Sequence, residues 1–244
     1  PYVIDPAVPD QARITGAIAH WNQQLAGHIQ LVPRTTQNDY IVIQRTLSGC
    51  SAYVGRIGGA QGVFISDACS TGNVIHEIGH AIGLWHEQSR EDRDTKVKIN
   101  WANISGAAAF NFSQNIADGD DVGAYDYGSI MHYGAFAFSI NGLPTIETIP
   151  PGIPIGQRTA LSAGDIATVK AIYPPASGPV GGNSVAPPAT RTVTVNTIPQ
   201  GLRLTVDGAD VVTPFSYSFA DGTSHTLAAP TPQTLNGAAY RFGG

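Results

Sequence analysis

His76-Glu77-Ile78-Gly79-His80-Ala81-Ile82-Gly83-Leu84-Trp85-His86 is the stretch that decides how this chain is read. On a helix, positions i and i+4 lie about 40° apart on one face, so His76 and His80 can each aim an imidazole nitrogen at one ion about 2.0–2.1 Å away. Glu77 lies beside them. A third ligand at the right angle cannot come from the next turn of the same helix. The spacing therefore predicts a helix over 72–83 that then breaks, and Gly83 tolerates the backbone angles a break requires. His86 swings in from the other side. Three neutral imidazoles leave a position for water, the mark of a catalytic rather than a closed structural zinc site. Five fixed positions of this kind recur by chance on the order of 10⁻⁵ times in a chain of this composition and length. Three histidines with a glutamate between two of them are also costly to bury without a metal.

Around this stretch, 244 residues of which 42% are apolar suffice for one sizeable core, with room for a small appendage. The formal charge of −5 and only 13 Lys plus Arg argue against a nucleic-acid partner, which needs clustered cations. No apolar run is long enough to predict a membrane span. The opening PYVIDPAVPD lacks the basic start and apolar centre of a signal peptide, as expected of a mature or trimmed chain. Cys50 and Cys69 can close a loop, which would stabilise by roughly 3 kcal/mol in the chain-entropy model. A pair alone fixes no connectivity, and two buried free thiols remain the alternative. A bridge would imply an oxidising compartment, and a secreted protein is expected.

Residues 10 to 27 read as an amphipathic helix with Ile14, Ile18, Trp21 and Leu25 on one face, Asp10 as its cap and Gly27 at its exit. Ile29–Val32, Tyr40–Gln44 and Gly62–Ser66 read as strands, which predicts a helix packed on a sheet. From Asp92 to Pro154, Gly, Asp and Pro are too dense for long regular elements. A last helix is predicted from about Ser162 to Ile172: Ser162 and Asp165 have capping-box spacing, and Pro174-Pro175 forbids continuation. Pro174–Pro188 reads as a linker. Beyond it Arg191–Ile198, Leu202–Asp207, Phe215–Phe219 and His225–Ala228 alternate like strands, with turns at Asp207-Gly208 and Asp221-Gly222. The chain stops at Phe242-Gly243-Gly244, so this β module is expected to lack a closing strand.

HEIGHAIGLWHEQSREDRD (His76–Asp94) together with Ser129-Ile130-Met131-His132-Tyr133 resembles the astacin zinc endopeptidases, one branch of the metzincins. Glu87 directly after the third histidine and the S-x-M-H-Y turn are typical of that branch. Similarity extends to Val32-Pro33-Arg34-Thr35-Thr36, Tyr53-Val54-Gly55-Arg56 and Leu161-Ser162-Ala163-Gly164-Asp165-Ile166, and so spans roughly residues 1 to 174. The resemblance implies an α+β fold: a metzincin-type two-lobed catalytic domain over 1–174, with a helix-on-sheet upper lobe and a loop-rich lower lobe. A linker over 175–190 and a small all-β module over 191–244 follow. The module resembles, weakly, the immunoglobulin-like β repeats appended to secreted bacterial enzymes.

By position, the resemblance makes His76, His80 and His86 the ligands of one catalytic zinc and Tyr133 a further, displaceable ligand. Met131, the only methionine, becomes the hydrophobic floor under the metal. Cys50–Cys69 matches one family bridge. The other is missing at both ends, with His28 at one of its places. In the family Glu87 contacts an amino terminus buried after propeptide removal, but Pro1 aligns beyond that terminus, so Glu87 is expected to pair locally, with Arg90 or Arg93, unless the chain is trimmed. Gly59-Ala60-Gln61-Gly62-Val63-Phe64 resembles the cleft-edge strand along which an extended peptide or protein substrate would lie. Arg56, Asp120, Asp121 and Asp126 are candidates for tuning specificity.

The expected reaction is peptide hydrolysis by a metal-activated water, with Glu77 taking the water proton and handing it to the leaving amine. No Gly-x-Ser-x-Gly elbow offers a competing nucleophile. Two rivals, an inactive peptide-gripping protein and a zinc hydrolase of non-peptides, are disfavoured by the presence of Glu77 and by the extended cleft edge respectively.

Overall fold

The structure is a computed structural model that describes residues 1–117, 119–175, 190–206, 209–220 and 225–241. The chain divides into two compact units, Pro1–Gly178 and Pro179–Gly244. In the first, β1 (Tyr2–Ile4), β2 (Tyr40–Arg45), β3 (Cys50–Ala52) and β4 (Ala60–Ile65) form a sheet in the order β1-β2-β4-β3. β1, β2 and β4 run parallel, and β3 runs antiparallel to β4. Parallel strands need both faces covered, and β4 accordingly buries Gln61, Gly62, Val63 and Ile65.

Helix α1 (Ala12–Gln24) and helix α2 (Thr71–Ile82) pack on each other. Ile14, Ile18, Trp21 and Leu25 are all buried, as their spacing predicts. Trp21 also donates from Nε1 to the Ile75 carbonyl of α2 at 3.1 Å, which fixes the crossing of the two helices. Ser70 caps α2: its hydroxyl accepts from the Asn73 amide, and the Asn73 side chain accepts from the Ser70 amide, a reciprocal box that 72–83 as read from sequence did not include.

Three readings need correction. Asp10 does not cap α1: its backbone is left-handed (φ 47°), and Gln11 takes the cap position without a side-chain bond. Ile29–Val32 is not a strand. Its backbone is satisfied otherwise, because the Asn22 side chain bonds both the N–H and the C=O of Leu31 and Val32 accepts from Tyr2, leaving only a bridge at Pro33. β4 is not a sheet edge, since β2 and β3 flank it; the edges are β1 and β3.

From Asp92 to Pro154 only two three-residue strands occur among the described residues, β5 (Val97–Ile99) and β6 (Ile146–Thr148), paired antiparallel and joined by 3₁₀ turns and loops. They carry a second core of Val97, Ile99, Ile104, Phe112, Tyr125 and Ile146, separate from the larger core under the sheet. Helix α3 (Ala163–Ile172) starts in the Ser162–Asp165 capping box. Cys50 and Cys69 are bridged, with Cα atoms 6.2 Å apart.

The second unit holds β7 (Thr190–Val195) paired with β10 (Phe215–Ala220), then β8 (Arg203–Val206) between β9 (Ala209–Val212) and β11 (Leu227–Ala228). β12 (Gln233–Leu235) and β13 (Ala238–Tyr240) form a further hairpin. Leu202, Leu204 and Val206 are buried apolar residues among its described ones. Most of the predicted linker, both predicted turns and the chain end at 242–244 lie outside the described residues.

Asp165 does more than cap α3. Its carboxylate accepts from the Ser129 hydroxyl at 2.6 Å, the Ile130 amide at 2.9 Å and the Ser162 amide at 2.8 Å, so it ties the turn before Met131 to the helix. Hydrogen bonds to a charged group contribute about 1.5–3 kcal/mol, and unmet buried donors cost as much again. Asp165→Ala should therefore lose about 3 kcal/mol or more of unfolding free energy in a denaturant titration, with Asp165→Asn intermediate. A loss under about 1 kcal/mol would show that the turn holds itself.

Candidate metal centre

α2 ends where it must for a third histidine to arrive. Gly83 adopts φ 117°, its N–H reaches the His80 carbonyl at 2.8 Å, and the Leu84 N–H reaches the Gly79 carbonyl at 3.0 Å. This is a Schellman ending, and a residue with a β-carbon is strained at such φ. The chain then turns back, bringing His86 Nε2 to 3.1 Å from His80 Nε2 and 3.3 Å from His76 Nε2. Four-coordinate zinc with bonds near 2.05 Å would separate its ligand nitrogens by about 3.3 Å. The three side chains are the one group of metal-ligating type found among the described residues.

The nitrogens are also in the right protonation state. His76 Nδ1 faces the Ile130 carbonyl and His80 Nδ1 faces the Leu84 carbonyl, both at 2.8 Å. A carbonyl only accepts, so both rings carry their proton on Nδ1 and present a bare lone pair at Nε2. Burial holds the pKa of His76 and of His86 well below the ordinary value and lowers that of His80 to about 4. Neutral imidazoles whose Nε2 atoms converge, with bare lone pairs on His76 and His80, fit a cation.

Glu77 lies on the same helix turn, 4% exposed, with Oε2 buried and without a hydrogen-bond partner. Burial raises its pKa to about 7, against the opposing charge of Arg158. A carboxyl so poised takes up or releases a proton near neutral pH.

A family model described as Astacin (Peptidase family M12A) matches residues 1–174. The chain belongs to the astacin family. It is 42% identical over 179 residues to zinc metalloproteinase nas-13 of Caenorhabditis elegans, covering 71% of this chain and 39% of that protein. It is also 42% identical over 180 residues to high choriolytic enzyme 1 of Oryzias latipes, covering 71% of this chain and 65% of that protein. The solved structure of the latter, a hatching enzyme zinc-protease, superposes with a TM-score of 0.65 at 41% identity, over 71% of this chain and 88% of that one. The chain thus spans less than two thirds of the curated relatives' length. Astacins use one catalytic zinc, and the histidine group described here fits that ion.

In this astacin Met131 is 2% exposed, and a β-carbon at Gly79 would lie 2.8 Å from its sulfur, so α2 and the S-x-M-H-Y turn meet only because Gly79 is bare. Tyr133 packs its ring 4.3 Å from that of His86. Burial and the Glu77 charge raise its pKa to about 12, which keeps the phenol protonated. His132 points elsewhere, its Nε2 2.7 Å from the Tyr125 hydroxyl.

Glu87 accepts from the Asp126 amide at 2.7 Å and lies 3.7 Å from Arg90 Nε; Arg93 instead bonds the Gln88 carbonyl and Asp94. It lines a cavity of about 300 Å³ shared with Asp120, Asp121, Asp126 and Asp165. Burial lifts its pKa to about 7. Three of the four specificity candidates, Asp120, Asp121 and Asp126, therefore gather around Glu87. The fourth, Arg56, is tied to Asp39.

Sequence reasoning missed Arg158. It donates to the His132 carbonyl at 2.9 Å, and its charge acts on Glu77, Tyr133 and all three histidines. No local pattern announces it, since it arrives from the strand-free segment before α3.

Zinc held at 1,000 times its Kd contributes about 4 kcal/mol to the folded state. Zinc added to chelator-stripped protein should accordingly raise Tm, and the rise should vanish in His80→Ala. An equal shift in that variant would place the metal elsewhere.

Proposed function

We propose that the chain is a secreted zinc-dependent endopeptidase in which His76, His80 and His86 hold the ion and Glu77 is the general base. The observation that carries this is the unpartnered Oε2 of a buried glutamate next in sequence to the first of three histidines whose Nε2 atoms converge, two of them bare lone pairs. Zinc, when bound, would supply Lewis acidity, lowering the pKa of a bound water toward about 7 and polarising a carbonyl. Glu77 takes the proton from the attacking water at Oε2 and delivers it to the leaving amine. Tyr133, protonated and beside His86, serves as a displaceable ligand and, once released, donates its hydroxyl hydrogen bond to the oxygen on which charge develops. Met131 is the floor.

The substrate backbone pairs with β3 rather than with Gly59–Phe64, because Cys50–Ala52 is an edge strand while Ala60–Ile65 is paired on both sides, and the other edge, β1, is bridged to Pro33. The disulfide that pins β3 to Cys69 supports both a rigid cleft edge and an oxidising, extracellular location. Residues 1–174 form the peptidase domain, 175–190 a linker and 191–244 a separate β module, in keeping with the division of the chain into two units.

Glu77→Gln should keep stoichiometric zinc yet lose nearly all turnover of a peptide mixture, since the ligands survive and the base does not. Wild-type cleavage by that variant would end the mechanism. Tyr133→Phe should lower kcat roughly 10²- to 10³-fold with zinc content and KM little changed, because an oxyanion donor acts only in the transition state. A core tyrosine without that role would leave kcat where it was.

A further inference from the structure

Tyr133 is anchored at its backbone and free only in its side chain. Its N–H donates to Gln88 Oε1 at 2.9 Å, and Gln88 is fully buried. Any movement of the phenol is therefore a rotation within the walls around its ring. Besides His86 these are Phe112, at 5.7 Å and edge-on, and Phe138, at 5.6 Å and tilted. Phe112 is 0% exposed and belongs to the second core, so its place there needs no further reason.

Phe138 is different. It is 47% exposed, and its backbone sits at φ 55°. A bulky side chain in the left-handed region costs on the order of 1–3 kcal/mol and persists only where its surroundings over-determine it. They do so here. Buried Thr145 donates from Oγ1 to the Ala137 carbonyl at 2.8 Å and from its amide to the Ala135 carbonyl at 2.7 Å. Ser139 donates from N to the Phe136 carbonyl and from Oγ to the Leu143 carbonyl, and it bridges to Ile104. Glycine or asparagine would occupy this backbone without strain, and half-exposure returns little burial energy to phenylalanine. What the ring does obtain is contact with two aromatic rings, Tyr133 at 5.6 Å and Phe112 edge-on at 6.0 Å, and of these only Tyr133 lies against a metal-site histidine.

We propose that Phe138 is a positioning residue for Tyr133, an apolar wall that confines the phenol to rotamers reaching the metal site and the substrate oxygen. This rests on the reading of Tyr133 as a transition-state donor. A hydrocarbon face offers the hydroxyl no competing hydrogen bond, so on the Phe112 and Phe138 sides nothing draws it away from the metal site. Without the wall, the phenol spreads over the other staggered wells and the productive fraction falls by about three- to tenfold.

The test is a double-mutant cycle on the zinc-loaded chain. Phe138→Asn removes the ring but suits the backbone, so the protein should melt at the wild-type temperature or higher. Its kcat should fall by about three- to tenfold with KM and zinc content nearly unchanged, and Phe138→Tyr should restore kcat. In the Tyr133→Phe background the same Phe138→Asn change should have no further effect, because the hydroxyl it positions is gone. Losses that multiply in the double variant, or a change confined to KM, would make Phe138 a substrate contact and overturn the inference alone. A Tyr133→Phe variant with wild-type kcat would strike down the tyrosine reading, and the inference with it.

Discussion

Three imidazole nitrogens, two pairs of them 3.1 and 3.3 Å apart, face one another with no proton to share on at least two of them. Such an arrangement is unfavourable on its own, because the two bare lone pairs have given up water and His86 has at most one proton to offer between them. It is held by everything around it. The Nδ1 protons are locked onto carbonyls of Ile130 and Leu84, α2 is capped at Ser70, and Gly83 stops the helix one turn before His86. A cation removes the conflict. The cost of keeping the site ready without one is spread over the core that clamps α2 to α1 and the sheet.

The clamp draws on segments far apart in the chain. Asp165 on α3 fixes the turn at Ser129 and Ile130, that turn places the Ile130 carbonyl against His76, and Met131 packs on Gly79. The residue after α3 is tied back as well: His28 Nδ1 lies 2.8 Å from the Tyr173 carbonyl, and the Tyr173 hydroxyl donates to the Ile82 carbonyl at 2.7 Å. His28 stands where the family resemblance implies a lost disulfide. A hydrogen bond from the same position to the end of α3 offers a non-covalent tie in its place.

The electrostatics of the cleft follow from burial with one cation set against it. Desolvation raises the Glu77, Glu87 and Tyr133 pKa values and lowers those of the histidines, so every group is pushed toward its neutral form. The Arg158 charge works the other way on Glu77 and Tyr133, favouring their ionised forms, and adds to the lowering at the histidines. The result is a glutamate balanced near neutrality beside a tyrosine that keeps its proton.

The sequence by itself determined the chemistry and the elements that carry it. Ligand identity and spacing are local, and so are the helical periods of α1 and α2, the Ser162–Asp165 box and the glycine that ends α2. The tertiary structure decided whatever depends on partners remote in the chain. Strand order made β3 an edge and put β4 inside, although β4 has the stronger strand pattern. A side chain, Asn22, took the hydrogen bonds of Leu31 and cancelled the strand read at Ile29–Val32. Arg158 reaches the histidines, and Phe138 reaches Tyr133, through packing that no local pattern encodes. The physical reason is the same each time. Propensity and ligand spacing act within a few residues, whereas burial and hydrogen-bond satisfaction are settled between positions as distant as the 54 residues that separate His76 from Ile130.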